Sequence, residues 1–487
     1  MARGWRDVAG GLLAVVSGMQ TGVGAAQDKG ELPPVEVGQM AAVADPAPLR
    51  DGDEKAVDPE RKEGEAPRPA DPLRSAGVPA NLDIATAVAL TLERHPQIAQ
   101  ASATLARGKA DLGAARSAWY PQASYQANLG PHMLSGANAS GLNENIAGPT
   151  LYVQQQVWDF GRSRGEIGAA RSTTAQRWYE REATADQLAE QGALAFLEVR
   201  RFDVLAVEAE RQVGELAHLR ELIAMRVNAG VSDKSDLMLA DVRVDGARAD
   251  AIQARTSLAM AGATLANLIG GTASHYADPA AIISRFEPAE EEPDYNRLPQ
   301  VIAAGDAANA AKAKVGQAQA ERYPKLGLQL GYTRNNYTYN SRDNAFTAVV
   351  TVSGDLYRRG QRYQVEAARE DQRAAEAAQD TAVIEARGKA LTAQQEIRAG
   401  QLRIDTYARQ EDQAVTATRI FFEEYKLGKR TLTELLNTQL EVFRASSARI
   451  AAEYDIMEAR VRFENLNGTL RPSLGLPARL DQGEEGP

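Results

Sequence analysis

Period-two alternation of apolar and polar residues occurs four times along the chain, in two pairs. In the first pair Ala123, Tyr125, Ala127 and Leu129 alternate with Gln122, Ser124, Gln126 and Asn128. Leu151, Val153 and Val157 then alternate with Tyr152, Gln154 and Gln156. In the second pair Leu326, Leu328, Leu330 and Tyr332 alternate with Lys325, Gly327, Gln329 and Gly331. Phe346, Ala348, Val350 and Val352 follow, interleaved with Thr347, Val349, Thr351 and Ser353. Each pair predicts a β-hairpin of roughly ten-residue strands, apolar on one face and polar on the other. The hairpins span 119–158 and 323–357. Their connections, 135–147 and 335–344, are rich in Asn, Gly and Ser, as exposed loops are.

Around the hairpins the pattern is helical. An Ala-rich run (83–118; 298–322) precedes each one and stops at Tyr120-Pro121 or Tyr323-Pro324, because the residue before proline is pushed out of the α region. A proline-free helical run follows each one, 162–228 and 361–426. Each is about 67 residues, or roughly 100 Å at the rise of an α-helix. A helix of that length must lie against other long helices. Turns at 229–235 and 427–430 send the chain back along 236–268 and 431–466.

The elements therefore come in one order, twice. Pro96 matches Pro299 and Tyr120-Pro121 matches Tyr323-Pro324; "VWDFGR" (157–162) lies opposite "LYRRGQ" (356–361). "LANLIG" (265–270) lies opposite "FENLNG" (463–468), and Gly230 opposite Gly428. Two long copies point to a duplicated domain, not a short solenoid repeat. We read 81–270 and 296–470 as the copies and 271–295 as the linker.

Composition narrows the chemistry. The chain of 487 residues has net charge −10 and no Cys, which argues against nucleic-acid binding and excludes thiol catalysis, Cys-zinc sites and disulfides. Its four His are scattered, without metal-ligand spacing. Arg3 and Arg6 precede a short apolar run and the small-residue stretch "GVGAAQ", which predicts a signal peptide over 1–26. Residues 27–80 hold nine of the 21 Pro and read as a disordered acidic extension; 471–487 reads as a flexible tail.

In an exported chain, strands with one apolar face point to a membrane. Strands in lipid must close into a barrel, and four are too few, since outer-membrane barrels start at about eight. Three chains give twelve. Here the chain resembles the TolC-type outer membrane factors over residues 82–470. His95-Pro96, Tyr120-Pro121, "WDFG", "NAGVSDKSD", "LGKRTLTELLN" and the two Asn-Leu-x-Gly ends carry the likeness. The resemblance implies a mainly α trimeric channel-tunnel, with four strands per protomer in a 12-stranded β-barrel and long helices in a periplasmic α-barrel. It implies an outer-membrane location, contact with outer-membrane lipid, a periplasmic adaptor and an inner-membrane ABC or RND transporter. No cofactor, metal or nucleic-acid partner follows from it. The run from Gly428 to Leu436 is most similar to members serving type I protein secretion; small-molecule efflux is the alternative.

The same resemblance supplies site residues. Asp236 matches the family's closing acid, and Tyr425 and Arg430 match its closing partners. Glu434 and Asn437 match two acids that ring the entrance; Asn437 replaces the second, so a trimer would hold three ring charges, whose repulsion is expected to raise the Glu434 pKa. Gly230 and Val231 with Gly428 and Lys429 form the hairpin tips expected to dock the adaptor; the glycines also suit left-handed helix caps.

Two other classes compete. "GRSRG" (161–165) fits the G-x-S-x-G of hydrolases, with Ser163 as nucleophile, but no βαβ series accompanies it and the second copy lacks the Ser. A coiled-coil structural or adhesive protein explains the helices and leaves the one-sided strands without a purpose.

Overall fold

The computed structural model describes residues 77–132, 144–286, 293–336 and 342–480. The expected signal peptide, the extension before residue 77 and the loop stretches 135–143 and 337–341 lie outside the described residues. All described residues belong to one unit, which begins at Pro67.

The described part opens with β1 (Asn81–Leu82), α1 (Ile84–Arg94) and α2 (Pro96–Ser117). Strands β2 (Gln122–His132) and β3 (Glu144–Trp158) lead into α3 (Arg162–Asn228) and α4 (Lys234–Ile269). After β4 (His275–Tyr276) and the short α5 (Ala280–Ile283) come α6 (Pro299–Ala320), β5 (Lys325–Asn336) and β6 (Arg342–Ser353). The last helices are α7 (Gln361–Lys426), α8 (Leu432–Leu466) and α9 (Leu470–Ser473). The chain is mainly helical, and the order helix, two strands, long helix, shorter helix appears twice. No described helix is long and apolar enough to cross a membrane.

Sequence-local rules explain the boundaries. The expected single run 83–118 is broken at His95, which is extended (φ −71, ψ 127) because Pro96 follows and starts α2. Asp83 caps α1 by accepting the Thr86 N–H. The turns after the long helices span 229–233 and 427–431, so the first is shorter than expected and the second one residue longer.

The two hairpins join into one antiparallel sheet, in the order β2-β3-β5-β6. Tyr125, Leu151, Tyr332 and Phe346 form one cross-strand row; Ala123, Val153, Leu330 and Ala348 form the next on the same face. The opposite face carries Gln122, Gln154 and Gln329. A bulge between Gln156 and Trp158 corrects one expected position. Val157 is the extra residue, and Trp158 takes its place in the apolar row, opposite Leu326. The apolar face is uncovered: Tyr125 is 84%, Phe346 72% and Val350 69% exposed. Strands β2 and β6 form the two outer edges of this sheet.

Helix α3 packs against α2 and α6 towards the sheet, and against α4 and α8 towards its far end; α7 packs against α6 and α8. The small residues make this possible. A Cβ at Gly165 would lie 2.7 Å from the Gln317 backbone nitrogen, so α3 and α6 meet at backbone distance. One apolar core, with Leu82, Ile84, Phe196, Leu265, Ile269 and Ile283, ties β1 and α1 to α3 and α4. A second, with Leu298, Ala390, Ile397 and Phe463, ties α6, α7 and α8.

The expected flexible tail is packed as far as Leu480. Arg471, 4% exposed, donates to Glu182 (2.9 Å) and pairs with Asp186 (2.8 Å) on α3. The Leu480 N–H donates to Glu182, and Arg479 lies 5.2 Å from the Trp178 ring centroid. Burial pushes the Asp186 carboxyl up to about 6, opposed by Arg471 and reinforced by Glu182.

Candidate functional site

The far ends of the two long helices hold the residues singled out from the sequence. Both helices end the same way. Gly230 (φ +72) and Gly428 (φ +71) adopt the left-handed conformation that glycine reaches without steric cost. The Val231 N–H donates to the Arg226 carbonyl (2.9 Å) and the Gly230 N–H to Val227 (3.0 Å). Lys429 and Gly428 repeat this on Glu424 (2.9 Å) and Tyr425 (3.0 Å). These are two Schellman caps, each followed by a return helix. Val231 and Leu427 are exposed, as are Gly230, Gly428 and Lys429.

The tip has its own core, built from Leu216, Leu219, Ile223, Val244, Leu435 and Leu436. Tyr425 is buried in it at 7% exposure, and its hydroxyl has no hydrogen-bond partner among the described residues. The Arg226 guanidinium lies 5.1 Å from the Tyr425 ring centroid and donates to the Lys426 carbonyl (3.4 Å), linking the first tip to the second.

Arg430 is held inside its own turn. Its Nε donates to Glu424 (2.8 Å) and its Nη1 to Glu434 (3.1 Å), while the guanidinium lies 4.3 Å from the Phe421 ring centroid. Glu434 also closes a capping box. It accepts from the Thr431 N–H (3.0 Å) and hydroxyl (2.9 Å), and its own N–H donates to Thr431 Oγ1 (3.3 Å). Those bonds to Thr431, with Arg430 beside them, hold the Glu434 carboxyl below its ordinary value. Within one chain these bonds act in the opposite direction to the repulsion expected between ring carboxylates of different chains. Glu424 leads the causes that raise the Arg430 pKa.

Asp236 lies half-buried in the first turn of α4 and forms no ion pair among the described residues. One chain thus brings Arg430 and Glu434 together and leaves Asp236 apart from both Arg430 and Tyr425. Asn437 accepts from Arg243 Nη2 (3.2 Å) on α4. The sequence reading missed Arg226, Glu424, Phe421 and Arg243. One signal was present: Arg226 and Glu424 occupy matching places in the two turns with opposite charge.

Ser163 is buried near the start of α3. Its N–H donates to Asp159 (2.6 Å) and its Oγ accepts from Gln156 (2.8 Å), so it serves the strand-to-helix turn.

The comparisons agree with this architecture. The chain is 27% identical to Protein CyaE of Bordetella pertussis over 289 residues, 55% of this chain. The match spans 57% of that relative's length, a little over half. Among solved structures it resembles CusC, whose crystal structures concern folding and transmembrane channel formation, with a TM-score of 0.73 and 15% identity. That likeness covers 83% of this chain and 98% of CusC. It also resembles the outer membrane protein VceC of Vibrio cholerae (TM-score 0.69, 19% identity, 79% and 96% covered). At such identities the likeness concerns the fold. The model of the outer membrane efflux proteins, a family of channels and not of enzymes, matches residues 87–271 and 296–469, and the chain belongs to that family.

Proposed function

We propose that this chain is one protomer of a trimeric outer-membrane channel-tunnel. It docks with a periplasmic adaptor and an inner-membrane transporter and exports protein by type I secretion. The carrying observation is the four-stranded sheet, with its apolar face uncovered and both edges open. In lipid those edges must pair, and three chains would close twelve strands.

The spacing of aromatic residues supports this. Tyr323 lies below the sheet and Tyr332 in an upper row with Tyr125 and Phe346, nine residues further on. From Lys325, where β5 begins, seven extended steps rise about 23 Å to Tyr332, or about 18 Å along the membrane normal at a 40° tilt, within the roughly 25 Å apolar band of such barrels. The repeated element order supports a duplicated domain with copies at 81–270 and 296–470. The helices would then form the periplasmic extension.

At the tip, Asp236 would latch to Arg430 and Tyr425 of an adjacent hairpin, closing the idle tunnel. Glu434 and Asn437 would ring the entrance. Gly230, Val231, Gly428 and Lys429 would receive the adaptor. The likeness of the Gly428–Leu436 run and the absence of Cys support protein export. The family's description as efflux proteins favours the second reading, small-molecule efflux.

The test is reconstitution of the full chain in planar bilayers, with trimers assayed by heat-modifiable gel mobility. Single-channel conductance from a trimer is expected; a soluble monomer without conductance would sink the channel reading. Deletion of the gene should remove a large protein from the medium and leave drug sensitivity unchanged; the opposite pair of results would select efflux.

A further inference from the structure

Where the strands meet the helices, the charge balance of the molecule reverses. The four junctions, 116–122, 158–166, 320–325 and 353–363, carry eight Lys/Arg and four Asp/Glu, in a chain of net charge −10. Three of those acids are engaged locally. Asp159 accepts from the N–H groups of Gly161 (3.1 Å) and Ser163 (2.6 Å). Glu321 pairs with Arg162 and Asp355 with Arg358, both at 3.5 Å. Arg164, Arg322 and Arg359 are exposed and form no ion pair among the described residues.

Aromatic residues lie at the same level. Trp158 continues the apolar face of the sheet, in register with Leu326. Phe160 meets Trp158 edge-on (6.2 Å between centroids) and stacks on Tyr323 (5.0 Å). Phe160 adopts φ +56, a conformation that costs a side-chain-bearing residue energy, and its ring remains 46% exposed. In the second copy Leu356 and Tyr357 are 106% and 84% exposed, directly before Arg358-Arg359.

Apolar and aromatic side chains beside unpaired guanidinium groups match a ligand with a hydrocarbon part and an anionic phosphate. A planar guanidinium takes two phosphate oxygens at once, and amphipathic rings settle at the headgroup level of a bilayer. We propose that this collar binds the anionic headgroups of bilayer phospholipids. Arg164, Arg322 and Arg359 hold phosphates, while Trp158, Phe160 and Tyr323 sit at the acyl boundary. The assignment rests on the membrane reading above and adds a lipid class to it.

The experiment reconstitutes the full-length protein in nanodiscs of phosphatidylcholine, alone or mixed with phosphatidylglycerol. Retained lipid is counted by native mass spectrometry, and the melting temperature is followed in parallel. The wild-type chain should retain phosphatidylglycerol preferentially and melt higher in its presence, with both effects shrinking as salt is raised. Inorganic phosphate at equal concentration should not raise the melting temperature; if it does, the site takes free phosphate and the lipid assignment is wrong. Each basic residue near an anionic surface is worth about fivefold in partitioning, so Arg164→Gln, Arg322→Gln and Arg359→Gln combined should cut the preference at least about tenfold. Arg248→Gln, at an exposed pair with Asp245 on α4, should leave it unchanged.

Equal retention of the two lipids by the wild type, or an undiminished preference in the triple variant, overturns the collar. Conductance in phosphatidylcholine alone keeps the outcomes separate. A conducting chain without lipid preference overturns the collar only, whereas failure to insert in either lipid overturns the membrane reading beneath it. Leu356→Ser with Tyr357→Ser should lower the melting temperature in phosphatidylglycerol. If it instead dissociates the oligomer and leaves lipid preference intact, that finger contacts a neighbouring copy and has no place in the collar.

Discussion

The two tips share a backbone and differ in their chemistry. Each long helix ends in a Schellman cap at a left-handed glycine, and each turn is five residues long. At matching places the first turn has Arg226, Val231, Ser232, Asp233 and Asp236; the second has Glu424, Lys429, Arg430, Thr431 and Glu434. In the second turn Arg430 spans Glu424 and Glu434 and satisfies both acids. In the first, Asp236 is left without an ion pair among the described residues and Arg226 reaches out to the other tip. A turn's path follows from one glycine and the helix lengths. Whether its charges close inward or face a partner depends on residues that the path does not constrain.

The largest expected effect tests what the shared backbone is for. Gly230→Trp with Gly428→Trp places two bulky rings on the exposed caps. Adaptor crosslinking should be abolished while trimers persist. Crosslinking at the wild-type level would leave the glycines as caps alone. A smaller effect tests the charge difference. Asp236→Ala and Arg430→Ala should each raise closed-state conductance several-fold, and the double variant should add little, as expected for two ends of one contact. Arg430→Lys should not restore closure, since an ammonium lacks the planar fork that spans two carboxylates. Wild-type conductance in both alanine variants would reject the latch.

Capping gives a still smaller contrast, read by thermal unfolding. The Thr431 side chain caps α8, whereas the Asp233 side chain makes no capping bond to α4. Thr431→Ala should cost about 1 kcal/mol, a typical loss for an N-cap. Asp233→Ala should change stability far less. Equal losses would mean that Asp233 caps α4 in solution and that the two turns are more alike than their hydrogen bonds indicate.

Most of the fold was legible because its signals are local. The long helices follow from proline-free helical runs, and the strand faces from period two. Val157 was misplaced because a bulge leaves no mark on alternation until the partner strand is known. The single run 83–118 was misread although Pro96 stood inside it, a signal already used correctly at Pro121 and Pro324. The tail beyond Arg471 was read as flexible because its anchors, Glu182 and Asp186, lie on a helix nearly three hundred residues earlier. At the site, the glycines and the Thr431–Glu434 box could be read from spacing. The matched, oppositely charged places of Arg226 and Glu424 could be read too, but not the pairing of Glu424 with Arg430, which lies across a turn whose geometry decides whether they meet. The contact of Arg226 with Tyr425 joins two hairpins, and no local rule predicts it.

The smallest expected effect separates two opposing influences on Glu434. Three such carboxylates around one entrance would repel, raising the pKa; the capping bonds within each chain lower it. A carboxylate whose folded pKa is depressed contributes fully above its unfolded value and loses that contribution as pH falls through the folded one. If capping dominates, cation selectivity should hold steady from neutral pH down to the ordinary glutamate value of 4.5 and decline only below it. If repulsion dominates, the decline begins above 4.5. The hydrogen bonds from Thr431 act at contact distance, whereas ring charges act across a water-filled mouth and are screened by salt, so the lower onset is expected. Glu434→Gln is the suitable variant, because glutamine can still complete a capping box while carrying no charge. It should reduce cation selectivity modestly at neutral pH and abolish the acid-dependent decline. Reversal-potential measurements across a salt gradient read both quantities. Selectivity that is unchanged at neutral pH in this variant removes Glu434 from the entrance and leaves it as the cap of α8.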